Sequence, residues 1–168
     1  MRVLGIWLVL LTWWTLPGVA QQDASPSEPT TAACSFDDGK EMSVRYTKAP
    51  DRRGEEMHDG KLWEAGGSPM LLFTQTGLTL GHADLPAGAY SIYVIPKKKT
   101  WTLVVSSNVS SAGKYDEKQD RVREAMELGE LSHTADEPEV AFGKIGPKQC
   151  SMNVYYGKQG AWTTFEEK

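Results

Sequence analysis

Between Glu41 and Phe165 the chain repeatedly alternates apolar with polar residues, and this period of two constrains its fold more than any other feature. Successive side chains on a strand point to opposite faces, so such alternation specifies a half-buried β-strand. Residues 41–47 place Met42, Val44 and Tyr46 on one face and Ser43, Arg45 and Thr47 on the other. Pro50 ends this strand, because proline cannot donate to a ladder. Residues 51–60 are charged and read as a loop. Residues 70–75 are apolar, as a buried strand is, and 77–81 form a short strand with glycine at each end. Residues 84–88 have the composition of a turn. Residues 89–95 set Tyr90, Ile92 and Val94 against Ser91, Tyr93 and Ile95, both sets rich in apolar or aromatic residues, which predicts a central strand. Lys97–Lys99 turns the chain, and 101–105 returns as the second arm of a hairpin. Residues 139–145, 149–156 and 161–165 add further strands. Residues 115–131 are ambiguous: their Glu, Lys, Arg, Ala and Met content favours helix, whereas Val122, Glu124, Met126 and Leu128 sit at period two. The pattern as a whole predicts an all-β, antiparallel β-sandwich or jelly-roll-like domain of about eight or nine short strands, with at most one short helix.

The N-terminus reads as an address. Arg2 is the only charged residue before Gln21, residues 3–16 are an apolar run, and 17–20 place small residues before a cut after Ala20. That is a secretory signal peptide, since the run falls short of the about 20 residues a spanning helix needs. The expected organisation is a signal peptide at 1–20, a flexible leader at 21–33 rich in Pro, Ser and Thr, and a single domain at 34–168. The location is periplasmic or extracellular, with no membrane span after cleavage. Two cysteines are too few for a disulfide-rich scaffold or a four-thiolate zinc site. In an exported chain Cys34 and Cys150 are expected to pair, the alternative being two buried thiols. Pairing would bring the first and last strands of the domain side by side or face to face.

Composition and motifs exclude more than they assign. A net charge of −4 argues against nucleic acid as partner. There is no Gly-x-Ser-x-Gly elbow, phosphate-binding glycine loop or His-Glu-x-x-His. His58, His82 and His133 are far apart in probable loops, so neither a metal nor a cofactor is expected. Carboxylates stand in pairs at Asp37-Asp38, Glu55-Glu56 and Glu137 with Glu139; glycoside hydrolysis would need two of them about 5–10 Å apart across a sugar. Lys97–Lys99 reads as a solvated turn. Most aromatics suit a sandwich core, but Trp63, before the small-residue run 65–69, could line a pocket.

The series Asp59-Gly60-Lys61-Leu62-Trp63-Glu64-Ala65-Gly66, Gly81, Leu85-Pro86-Ala87-Gly88-Ala89-Tyr90-Ser91, Pro96, Trp101-Thr102-Leu103, Tyr115-Asp116, Asp120 and Arg123 occurs in one order. It resembles the bacterial exported family called domain of unknown function 2911 over about residues 34–165. The resemblance implies a compact β-rich domain after a signal peptide and no established activity. It also favours a strand entering near Asp120, after a helical turn near 115–119. The family typically carries an Arg after its Trp, then Gly-Ala-Asn; here Glu64 stands at the Arg position and Gly67-Ser68-Pro69 at the polar ones. The function these residues suggest is an exported, non-enzymatic binding module for a small molecule, glycan or envelope partner. Its candidate ligand-binding residues are Trp63, Gly66, Ser68, Tyr90, Tyr93 and Arg123. The alternatives are an envelope-glycan hydrolase with a carboxylate pair and a structural envelope protein without ligand.

Overall fold

The computed structural model describes residues 29–48, 57–64, 68–109 and 114–168. The signal-peptide reading, most of the leader, the charged stretch 51–56 and Gly66 lie outside the described residues. The fold is all-β, with strands β1 (Pro29–Ser35), β2 (Glu41–Thr47), β3 (Met70–Thr74), β4 (Leu78–Leu80), β5 (Ala83–Leu85), β6 (Gly88–Ile95), β7 (Trp101–Ser106), β8 (Asp120–Gly146) and β9 (Gln149–Glu167). A single 3₁₀ turn, Glu117–Gln119, precedes β8.

Among the described residues all nine strands are antiparallel and form one open hydrogen-bonded sheet in the order β1-β2-β3-β6-β7-β8-β9-β4-β5. The strands join into one sheet because β8 is long enough to serve two neighbours. Its first part pairs with β7 through Met126, and from Glu127 onward it pairs with β9. The sheet folds back on itself, so that β1 lies against β8 without pairing to it. The Cys34–Cys150 disulfide ties β1 to β9 across this fold, with Cα atoms 6.4 Å apart.

Several expectations change in detail. Residues 29–33, placed in the leader by composition, belong to β1 and pair with β2 from Pro29↔Thr47 onward. Ala83–Leu85 forms a short strand against β4 where a turn was expected. The short strands expected at 139–145, 149–156 and 161–165 are parts of β8 and β9, of 27 and 19 residues. The helix that composition favoured over 115–131 contracts to the 3₁₀ turn. From Asp120 the strand wins, because β7 on one stretch and β9 on the next supply the ladder partners.

The core is where the alternation put it. Met42, Val44 and Tyr46 are buried, together with Tyr90, Ile92 and Val94 of β6 and Trp101, Leu103 and Val105 of β7. β9 contributes Cys150, Met152 and Val154. Gly88 opens β6 at φ +153°, which favours glycine. Gly81, at φ +58°, also faces Glu124 so closely that a Cβ there would sit 1.9 Å from a carboxylate oxygen.

Candidate functional site

The outer face of β6, β7 and β8 carries a polar cluster, and a bulge creates it. β7 pairs with β8 as Val105↔Val122 and then as Ser106↔Asp120, which leaves Arg121 without a partner. Residues three apart on a regular strand point to opposite faces. The extra residue cancels that, so Asp120 and Arg123 share one face and meet with Arg123 Nε 2.8 Å from Asp120 Oδ2.

The 3₁₀ turn supplies the remaining members. Asp116 caps it by accepting from Lys118 N. Just before it, Tyr115 donates its hydroxyl hydrogen to Asp120 Oδ2 at 2.6 Å and accepts from Arg123 Nη2. Arg123 also pairs with Glu117 at 3.0 Å. The Tyr115 ring packs edge-on against Tyr93 of β6, centroids 5.0 Å apart. Burial, reinforced by the hydrogen bond to Asp120, pushes the Tyr115 phenol up to about 12, although Arg123 opposes this. The Asp120 carboxylate in turn raises Arg123. Tyr93 is raised first by burial and then by the negative charge of Glu64, with Asp120 adding to it.

Glu64 follows Trp63, which bridges Val94 of β6, and lies near enough to Tyr93 for its charge to be felt there.

Two polar atoms in this region are buried without a hydrogen bond: Ser91 Oγ and Asp120 Oδ1. Ser91 approaches the Tyr93 hydroxyl but makes no bond of normal geometry. Ser91 and Asp120 flank Ser106 in the ladder, Ser91↔Ser106 on one side and Ser106↔Asp120 on the other. An unsatisfied buried polar group costs about 1–3 kcal/mol, so two in one row identify a locally destabilised place.

The structure separates the residues that the sequence proposed together. Tyr93 and Arg123 lie in the outer-face cluster. Trp63 is 3% exposed in the core, against Trp101 and Tyr156, with ring centroids 6.1 and 5.1 Å away. Its indole N–H is buried without a partner. Tyr90 points to the core as well and donates to Pro86 O at 2.7 Å, bracing the turn before β6. Burial raises its phenol, with Arg121 opposing. Ser68 is half-buried. Sequence reasoning did not select Ser91, Tyr115 or Asp120. Tyr115 and Asp120 stood in the motif Tyr115-Asp116…Asp120…Arg123, where Asp120 meets Arg123 only through the bulge, and Ser91 closed the stretch Leu85–Ser91. Among the described residues no group of three or more His, Cys, Asp or Glu side chains converges as a metal site, and no helix is long and apolar enough to cross a membrane.

Fold and cluster together define an all-β protein of one folded antiparallel sheet, disulfide-tied, with a polar aromatic cluster on the outer face of its central strands. The family model described as protein of unknown function (DUF2911) matches residues 25–164, and the chain belongs to that family. No curated protein and no solved structure matches it.

Proposed function

We propose that this protein is an exported, non-enzymatic binding module whose ligand site is the outer-face cluster of Ser91, Tyr93, Tyr115, Asp120 and Arg123. The observation that carries this reading is the row of two buried polar atoms without hydrogen bonds, Ser91 Oγ and Asp120 Oδ1, beside a Tyr–Asp–Arg network. A fold gains nothing by leaving such atoms unsatisfied, whereas a ligand that completes them recovers their desolvation cost on binding. The aromatic pair offers apolar contact, and the carboxylate and guanidinium offer orientation, which is the composition of small-ligand sites. Export is supported by the disulfide, which belongs to an oxidising compartment, and by the signal-like N-terminus.

A thermal-shift screen of the oxidised protein against small molecules and envelope fragments tests this. A ligand at a hundred times its Kd stabilises the fold by about 2.7 kcal/mol, a readily measured shift. The reading expects the response to vanish in Arg123→Ala and weaken in Ser91→Ala. A ligand response that both variants retain in full would place the site elsewhere.

A further inference from the structure

The geometry points to a small organic cation bearing N–H donors, a primary or secondary ammonium, as the ligand class of the outer-face cluster; this rests on the binding reading above. The first reason is the chemistry of the free position. An ionised carboxylate only accepts, so Asp120 Oδ1 can be completed only by a donor. The Asp120 side chain is 10% exposed, and its other oxygen is already used by Tyr115 and Arg123. Ser91 Oγ, fully buried one ladder pair beyond Ser106, can accept from the same ligand or donate to it.

The second reason is charge. Asp120 accepts from Tyr115, the charge of Glu64 is felt at Tyr93, and Glu117 pairs with the guanidinium of Arg123. That guanidinium is committed to Asp120, the Tyr115 hydroxyl and Glu117, which leaves it few donors for an anion. Arg121 is exposed at the bulge, and its charge is felt at Tyr90. Lys114 and Lys118 are exposed and form no ion pair among the described residues. A hydroxyl could also donate to Oδ1, but the surplus of carboxylates favours a charged donor, and tyrosine faces attract cations. The rise in the Tyr93 phenol caused by Glu64 and Asp120 reports the same negative field. The Arg123–Glu117 pair is the solvent-facing part of the cluster, its side chains 36% and 73% exposed. Such exposed pairs cost little to break.

The test compares ethanolamine, glucosamine, glucose, tetramethylammonium and inorganic phosphate as probes at pH 7, by thermal shift and by calorimetry on the oxidised full chain. Glucosamine and glucose differ chiefly by the ammonium, and tetramethylammonium carries the charge without N–H. Ethanolamine or glucosamine is expected to bind at least about tenfold tighter than glucose and tetramethylammonium, a difference of about 1.4 kcal/mol. Asp120→Asn is expected to remove that preference, and Glu64→Gln, at a half-buried position near Tyr93, to weaken it while leaving the fold intact. Glu64→Gln therefore carries the test if Asp120→Asn does not fold. Glucose binding as well as glucosamine, or phosphate binding that Arg123→Ala abolishes, would overturn the cation class while leaving the binding site standing. No response to either ammonium probe would overturn it too, and the broader ligand screen would then judge the site separately.

Discussion

The two faces of β6 obey different rules. Tyr90, Ile92 and Val94 face the core, where the Tyr90 hydroxyl donates to Pro86 and the Tyr46 hydroxyl to Val140. Ser91 and Tyr93 face outward and are equally buried, yet they lie among a carboxylate, a guanidinium and two unsatisfied oxygens. Burial alone therefore does not identify structural residues in this protein. The core face is stabilised by packing and the disulfide and leaves one polar atom, the Trp63 indole N–H, without a partner, whereas the outer face leaves two oxygens in one row.

Perturbing each face should give opposite results. The largest effect belongs to the disulfide: Cys34→Ser with Cys150→Ser opens a loop with a sequence separation of 116. Loop entropy sets the loss at about 4–5 kcal/mol, measurable by urea denaturation. Trp101→Ala, at a fully buried core position, should cost about 3–5 kcal/mol by the same assay. Ligand response should change in neither variant so long as the protein is folded; a response lost in the folded double-serine variant would erase the distinction between the faces.

Tyr115 should make the outer face sensitive to alkali. Its folded pKa, about 12, lies above the ordinary value of 10, so the folded state favours the neutral phenol. The stabilisation it contributes is complete below pH 10 and is lost as pH rises from 10 through about 12. Ultraviolet titration should show Tyr90, Tyr93 and Tyr115 titrating late, and Tyr115→Phe should remove the one near 12. If every tyrosine in the folded protein titrates near its ordinary value, the buried network is absent.

The smallest effect is the sharpest. Ser91→Ala removes a hydroxyl that is buried without a partner, so it should leave stability unchanged or raise it by up to about 1 kcal/mol, while weakening ligand binding. A loss above about 1 kcal/mol would show that this hydroxyl is satisfied within the fold and that the two faces do not differ in this way.

The legibility of these faces in the sequence was uneven for physical reasons. Glu41–Thr47 was readable to the residue, because one face of β2 is buried and the other is partly open, which is the condition that produces alternation. β1 was hidden because Pro29, Thr30 and Thr31 have the composition of a linker and become a strand only by pairing with β2. In β8, intrinsic preference for helix was overridden by ladder partners on two different strands. The candidate site was legible in part. Tyr93 and Arg123 stood out as residues, but Trp63 and Tyr90 were grouped with them because sequence order does not show which way a side chain points. Asp120 could not be placed from periodicity at all, since its orientation depends on the bulge at Arg121. That bulge is a property of the pairing between two strands rather than of either one.

The central claim is that the outer face, and no other region of the described surface, is the ligand site. The most direct measurement is chemical-shift mapping of the ¹⁵N-labelled oxidised protein titrated with the ligands that stabilise it. The account expects saturable shifts confined to the amides of Ser91, Tyr93, Tyr115, Asp120 and Arg123 and their immediate neighbours. Shifts centred instead on the lysine-lined cleft of Lys97, Lys98, Lys99 and Lys158 at the hairpin turn would contradict it.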